Sequence, residues 1–149
     1  MEYLIFYDDT VHKSELIREI IGQKGFGEVV VKKKRLEDYY RQAVENALPH
    51  SRWNVIRSAF MFPEVLESLN GESDDTRVLH VFADFVITDA AVASLSLAKL
   101  NYIDTTYKML WADEPVGIMF PTVTEYKRFL RQIIKGIPAK NALSAGQKA

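Results

Sequence analysis

The chain has 149 residues, 48% of them hydrophobic and 26% charged, with a formal net charge of −1 and no cysteine. That balance belongs to a folded domain, excludes disorder over most of the length, and gives no electrostatic reason to expect a nucleic-acid or membrane partner. Without cysteine there are no disulfides, thiolate nucleophiles, iron–sulfur clusters or cysteine zinc sites.

No apolar run is long enough to span a bilayer, and Met1–Tyr7 reaches Asp8 and Asp9 too soon for a signal peptide. A cytoplasmic location is the expectation. Glu2–Tyr7 (EYLIFY) reads as a first strand. A helix from about Val11 to Gln23 follows, with Leu16, Ile17, Ile20 and Ile21 on one face and Gly22 and Gly25 as stop signals. Phe26–Val31 (FGEVVV) reads as a second strand, ending in the basic run Lys32–Arg35. Strand, helix and strand over this length make a βαβ unit, whose crossover is right-handed.

Leu36 to Asn70 reads as helical, broken at Pro49 and again near Pro63. Tyr39, Tyr40, Val44 and Leu48 give one helical face. Trp53, Ile56, Ala59 and Phe60 give a second, capped by Ser51, and Val65, Leu66 and Leu69 a third. Arg77–Asp89 (RVLHVFADFVITD) is rich in β-branched and aromatic residues and reads as a central strand buried on both faces. It is expected to lie parallel to the first strand in one sheet.

Asp89 then caps an alanine-rich helix, Ala90–Leu100, apolar on most sides as a helix packed on a sheet should be. Tyr107–Trp111 and Val116–Phe120 flank the polar loop Ala112–Pro115 and predict a β-hairpin. Thr122, with Glu125 at capping-box spacing, starts a last helix to about Lys135, which Gly136 and Pro138 stop. The expectation is a single domain over residues 1–138 and a flexible tail over 139–149. Its class is a three-layer, Rossmann-like α/β domain, with a mixed, mostly parallel sheet and a C-terminal β-hairpin plus helix.

Asp8 and Asp9 follow the first strand, while Asp84 and Asp89 end the central one. Parallel neighbours would bring these carboxylates to one sheet edge, where open α/β sheets place metals and phosphates. Mg²⁺ or Mn²⁺, which take oxygen ligands and a substrate phosphate, are the cofactors that set would hold. The plainer alternative has Asp9 and Asp89 as helix caps, with Asp8 and Asp84 facing solvent. Lys32, Lys33 and Arg35 could neutralise phosphates at the same edge, or be a solvated strand end. His80 sits in the central strand as a core histidine, and no two histidines have metal-ligand spacing. There is no Walker A loop, G-x-G-x-x-G, G-x-S-x-G or H-E-x-x-H.

The stretch VLHVFADFVITD followed by a helix resembles the central strand of GT-A glycosyltransferase and nucleotidyltransferase-like domains. The resemblance covers that strand and its aspartate; YDDTVHKS stands where nucleotidyltransferases carry a glycine-rich loop. It implies a nucleotide- or nucleotide-sugar-binding domain, possessing or lacking turnover of its own, with Asp84 as the metal-binding aspartate. YLIFYDD before an amphipathic helix resembles the start of a response-regulator receiver, which implies that Asp8 and Asp9 hold Mg²⁺ beside Asp84. The leading expectation is therefore a domain binding a nucleotide or phosphorylated small molecule. The alternative is a receiver-like regulatory or protein-interaction module without enzymatic activity and with a protein partner.

Overall fold

The computed structural model describes residues 2–10, 25–85 and 89–142. Strand β1 (Tyr3–Asp8) has all six residues buried, as its unbroken apolar sequence requires. It pairs in parallel with β4 (Ser51–Ile56) on one side and with β5 (Arg77–Phe82) on the other. Beyond β5 the hairpin of β6 (Tyr107–Trp111) and β7 (Glu114–Phe120) completes the order β4-β1-β5-β7-β6. β7 is antiparallel to both its neighbours, so four of the five strands run the same way. The sheet is mixed, and the expected parallel pairing of the first and central strands is present in register from Tyr3↔Arg77 to Asp8↔Phe82.

Alternation along the strands divides the core in two. Tyr3, Ile5 and Tyr7 of β1, with Leu79, Val81 and Met119, pack against helix α1 (Leu36–Ala47) and α3 (Ala90–Ala98). Leu4 and Phe6, with Val78, Phe82, Ile118 and Phe120, pack against α2 (Phe62–Ser68) and α4 (Val123–Ile134). Helix α1 buries Leu36, Tyr40, Ala43, Val44 and Ala47, the spacing of one helical face. Helix α4 buries Val123, Tyr126, Phe129 and Leu130 and is capped as expected, the Thr122 side chain accepting from the Glu125 N–H at 3.3 Å. Each large apolar side chain buried on these faces contributes about 1.5–3 kcal/mol.

Several sequence readings are corrected. Phe26–Val31 is not a sheet strand. Phe26–Glu28 is a 3₁₀ turn, and β2 (Val30–Val31) pairs antiparallel with β3 (Lys34–Arg35) in a separate two-stranded hairpin. Its turn residues Lys32 and Lys33 have φ of 54° and 67°, the left-handed pair that a two-residue hairpin turn needs. Ser51–Ile56 is the edge strand β4 rather than a helix, and Ser51 begins that strand instead of capping. The central strand ends at Phe82, with Val86–Thr88 outside the described residues. The helix expected over Val11–Gln23 also lies outside them.

The C-terminal hairpin turns through two residues only. Ala112 and Asp113 have φ of 51° and 66°. Pro115 falls at a register shift opposite Leu110, a position that tolerates its missing donor. Helix α3 is not wrapped on most sides: Leu97 is its one buried residue, and Leu95 is 73% exposed.

The packed body also extends past Pro138. Ala139–Asn141 form a 3₁₀ turn, and Ala142 is buried beside the α4 core; residues 143–149 lie outside the described set. A carboxylate at Ala142 would be desolvated there. Ala142→Asp is expected to lower stability in urea unfolding by about 2 kcal/mol or more; an unchanged midpoint would show that this segment does not dock.

Candidate functional site

The carboxyl ends of β1, β4 and β5 meet at one edge of the sheet. β1 delivers two consecutive aspartates there, and its pleat sends them to opposite faces. Asp8 continues the Leu4–Phe6 side and Asp9 the Tyr7 side. They therefore build two separate polar networks.

On the α4 side, Asp8 and His80 are both fully buried. His80 Nε2 lies 2.8 Å from Asp8 Oδ2, and His80 Nδ1 lies 2.9 Å from the Tyr126 hydroxyl. Asp8 Oδ1 accepts from the Thr10 backbone N–H at 2.9 Å and from the Thr10 hydroxyl. Burial alone would raise the Asp8 carboxyl, but the His80 hydrogen bond and charge, with both Thr10 bonds, outweigh it and hold the group below the usual range. With Asp8 ionised, His80 donates from Nε2. The direction of the Nδ1–Tyr126 hydrogen bond depends on the imidazole tautomer. Burial, and secondarily the Asp8 charge, push the Tyr126 phenol well up, so it stays a hydroxyl.

On the α1 side, Asp9 Oδ2 accepts from Arg57 Nη1 at 2.5 Å and from the Gly27 N–H at 3.2 Å. The second Arg57 nitrogen donates to Glu37 Oε2, and Arg35 reaches Glu37 Oε1 at 2.8 Å. Backbone at the Gly25–Glu28 turn lies against this carboxylate. A Cβ at Gly25 would fall 2.0 Å from Asp9 Oδ2, and one at Gly27 would fall 2.6 Å from the Tyr7 ring. Only glycine allows that approach. Burial raises the Asp9 carboxyl despite Arg57 and Gly27. Among the described residues, Asp9 Oδ1 has no hydrogen-bond partner, nor have the buried Tyr7 and Tyr40 hydroxyls. Burial pushes both phenols up, helped at Tyr7 by Asp9, Glu37 and Asp84, and at Tyr40 by Tyr7 and Asp84.

The sequence-derived site residues are thus distributed. Asp84 follows β5 and pairs with Lys140 at 2.5 Å. Asp89 caps α3, its Oδ1 accepting from Ala91 and Val92 at 3.1 and 3.2 Å. Asp8 is neither a metal-facing nor a solvent-facing group but the buried partner of a histidine. Among the described residues no group of three or more histidine, aspartate or glutamate side chains is arranged to hold a metal ion. The Mg²⁺ or Mn²⁺ cluster expected from Asp8, Asp9, Asp84 and Asp89 is therefore not assembled in this arrangement. Lys32 and Lys33 stand exposed at the hairpin tip, while Arg35 is tied to Glu37 and Asp38.

Residues that sequence reasoning missed supply the partners. Arg57 directly follows β4, but reading that segment as helix removed it from the sheet edge. Glu37, Tyr126 and Thr10 carry no local signal, since each meets its partner through tertiary packing.

Two depressions flank the edge. One, of about 460 Å³, lies over the carboxyl ends of the parallel strands and is lined by Thr10, Ala59, Phe62, Asp84, Ile137 and Lys140, among others. The other, about 430 Å³, runs between β4 and α2, where its one ion pair, Arg52 with Glu72, is already bidentate at 2.8 and 2.7 Å. Comparison of the chain with protein-family models, curated proteins and solved structures gives no match.

The Asp8 network makes a pH prediction. Its folded carboxyl is held below the unfolded value of about 3.9, so its stabilisation is complete above that pH and is lost as pH falls through the folded value. Asp8→Asn should lose stability near neutral pH, and its gap from wild type should close below about pH 4. Because Asp9, whose shift has the opposite sign, is present in both proteins, the comparison isolates Asp8 to first order. Urea unfolding from pH 3 to pH 7 measures the gap; a gap that widens in acid contradicts the assignment.

Proposed function

We propose that this chain is a nucleotide- or nucleotide-sugar-binding domain of GT-A-like kind, with its ligand in the cleft over the carboxyl ends of β1, β4 and β5. The observation that carries the reading is that cleft. It has a small-molecule volume of about 460 Å³, within the roughly 300–1,000 Å³ usual for ligand sites. It also stands where open sheets with parallel strands bind ligands. Its walls combine apolar surface, from Phe62, Ile133 and Ile137, with a hydroxyl at Thr10, an amide at Asn141 and the Asp84–Lys140 pair. Apolar walls suit a planar base or sugar ring, and the charged end suits a phosphate.

The three-layer description, with α1 and α3 on one face and α2 and α4 on the other, belongs to the same proposal and is supported by the two separate core clusters. Asp84 follows the central strand, which is where the resemblance would want its aspartate, while the cation on the cleft wall is Lys140 in place of the expected Lys32, Lys33 and Arg35. The four aspartates do not fit a preformed divalent-metal site, so no catalytic step through a metal is drawn.

A second reading, a regulatory or protein-interaction module, is favoured by one feature. Val92 and Leu95 of α3 are 61% and 73% exposed, and Leu110 and Trp111 of edge strand β6 are 56% and 66% exposed. No membrane-crossing helix is present among the described residues.

Thermal unfolding with nucleoside mono- and diphosphates, nucleotide sugars and the matching uncharged nucleosides tests the first reading. A true ligand at a hundredfold excess over its Kd adds about 2.7 kcal/mol of stability. Stabilisation by phosphorylated members is expected. No shift from any member at millimolar concentration overturns the binding reading and leaves the interaction module.

A further inference from the structure

Among the described residues, Lys140 is the one cation on the cleft wall, and its charged partner there is Asp84. The two side chains are 27% and 23% exposed, so both ions have lost much of their hydration while remaining reachable from the cleft. The ammonium also lies over the Phe82 ring, 5.6 Å from its centroid. An ammonium has three donors, and among the described residues Lys140 directs one of them to Asp84. Lys108 contacts the Lys140 carbonyl at 3.5 Å, and burial lowers its pKa. The Ala139–Asn141 turn is thus held from the sheet side as well as through Asp84.

We infer that Lys140 is the anion anchor of the cleft and Asp84 its internal competitor: a phosphoryl group binds by taking the Lys140 ammonium away from the Asp84 carboxylate. The identification of the anion end as phosphoryl rests on the nucleotide-binding reading above. A dianionic phosphate attracts the ammonium more strongly than a carboxylate does at equal distance, and it offers three acceptor oxygens. The exchange has an opposing cost, because Asp84 is left as a carboxylate near an incoming anion without its counter-ion. Removing the Asp84 charge therefore lowers the cost of binding. That sign is opposite to the one expected of a metal-ligating aspartate, whose loss weakens a metal-bridged phosphate.

The experiment is titration calorimetry of the full chain in low-salt buffer with EDTA, using inorganic pyrophosphate, ADP and uncharged adenosine as probes. Asp84→Asn is expected to tighten pyrophosphate and ADP by about tenfold and to leave adenosine unchanged. Lys140→Gln is expected to weaken both anions by about tenfold or more, and Lys140→Arg to retain them. The lysine variants keep Asp84 in place and carry the test by themselves should Asp84→Asn unfold. Anion binding that survives Lys140→Gln, or that weakens with Asp84→Asn, overturns the inference and leaves the pair as a structural tie. If ADP binds wild type and all variants alike, the inference falls while the nucleotide reading stands. If pyrophosphate alone binds, with the expected variant pattern, the anchor stands and the nucleotide reading falls. If no probe binds, both fall.

Discussion

The two-residue pleat of β1 is the constraint on which both polar networks depend. β1 is hydrogen-bonded on both sides and buried on both faces, so every side chain it carries must be accommodated by the core. Ending such a strand with two aspartates sends one carboxylate to each face, and each then needs its own compensation. The α4 face answers Asp8 with His80, Tyr126 and Thr10; the α1 face answers Asp9 with Arg57 and Gly27. Asp84, which follows β5, pairs with Lys140 instead. The same geometry that packs the sheet thereby parts Asp8 from Asp9.

Much of the fold was legible where local chemistry and burial agree. The apolar runs of β1 and β5, the caps at Asp89 and Thr122, and the hairpin at Ala112 all have a local physical cause that the structure repeats. β4 was not legible. Trp53, Ile56, Ala59 and Phe60 sit at helical spacing, yet Trp53 packs as part of a strand against Tyr7, with ring centroids 5.4 Å apart. At a sheet edge the tertiary pairing with β1 overrides a spacing that fits a helix equally well. Phe26–Val31 failed for another reason. Gly27 within it and Gly25 just before it serve close backbone approach to Tyr7 and Asp9, which turns the chain before a strand can extend.

The strand-end edge that carries the aspartates is more legible in the sequence than the partners they meet there. Aspartates ending parallel strands mark the carboxyl edge, and that edge is where the cleft lies. Their partners were hidden because each comes from a segment distant in sequence: Arg57 from the end of β4, Glu37 from the first turn of α1, Lys140 from a stretch whose small polar residues read as tail. The basic run Lys32–Arg35 had the opposite fault. It is conspicuous in sequence, but left-handed turn geometry holds Lys32 and Lys33 at an exposed tip.

The two networks differ in how far their hydrogen-bonding capacity is used, and this shapes what the edge can offer a ligand. On the Asp8 side both carboxylate oxygens and both imidazole nitrogens are engaged, so that chain of groups acts as a fixed strut behind Thr10. On the Asp9 side one carboxylate oxygen and the hydroxyls of Tyr7 and Tyr40 find no hydrogen-bond partner among the described residues. Each such group costs about 1–3 kcal/mol when buried unsatisfied. Tyr7 and Tyr40 pack edge to face with centroids 5.3 Å apart, and both feel the Asp84 charge. Asp84 therefore stands between a saturated face and an unsaturated one. Arg57 compensates Asp9 and Glu37 at this edge and Lys140 compensates Asp84, so each of the three carboxylates is matched to a cation.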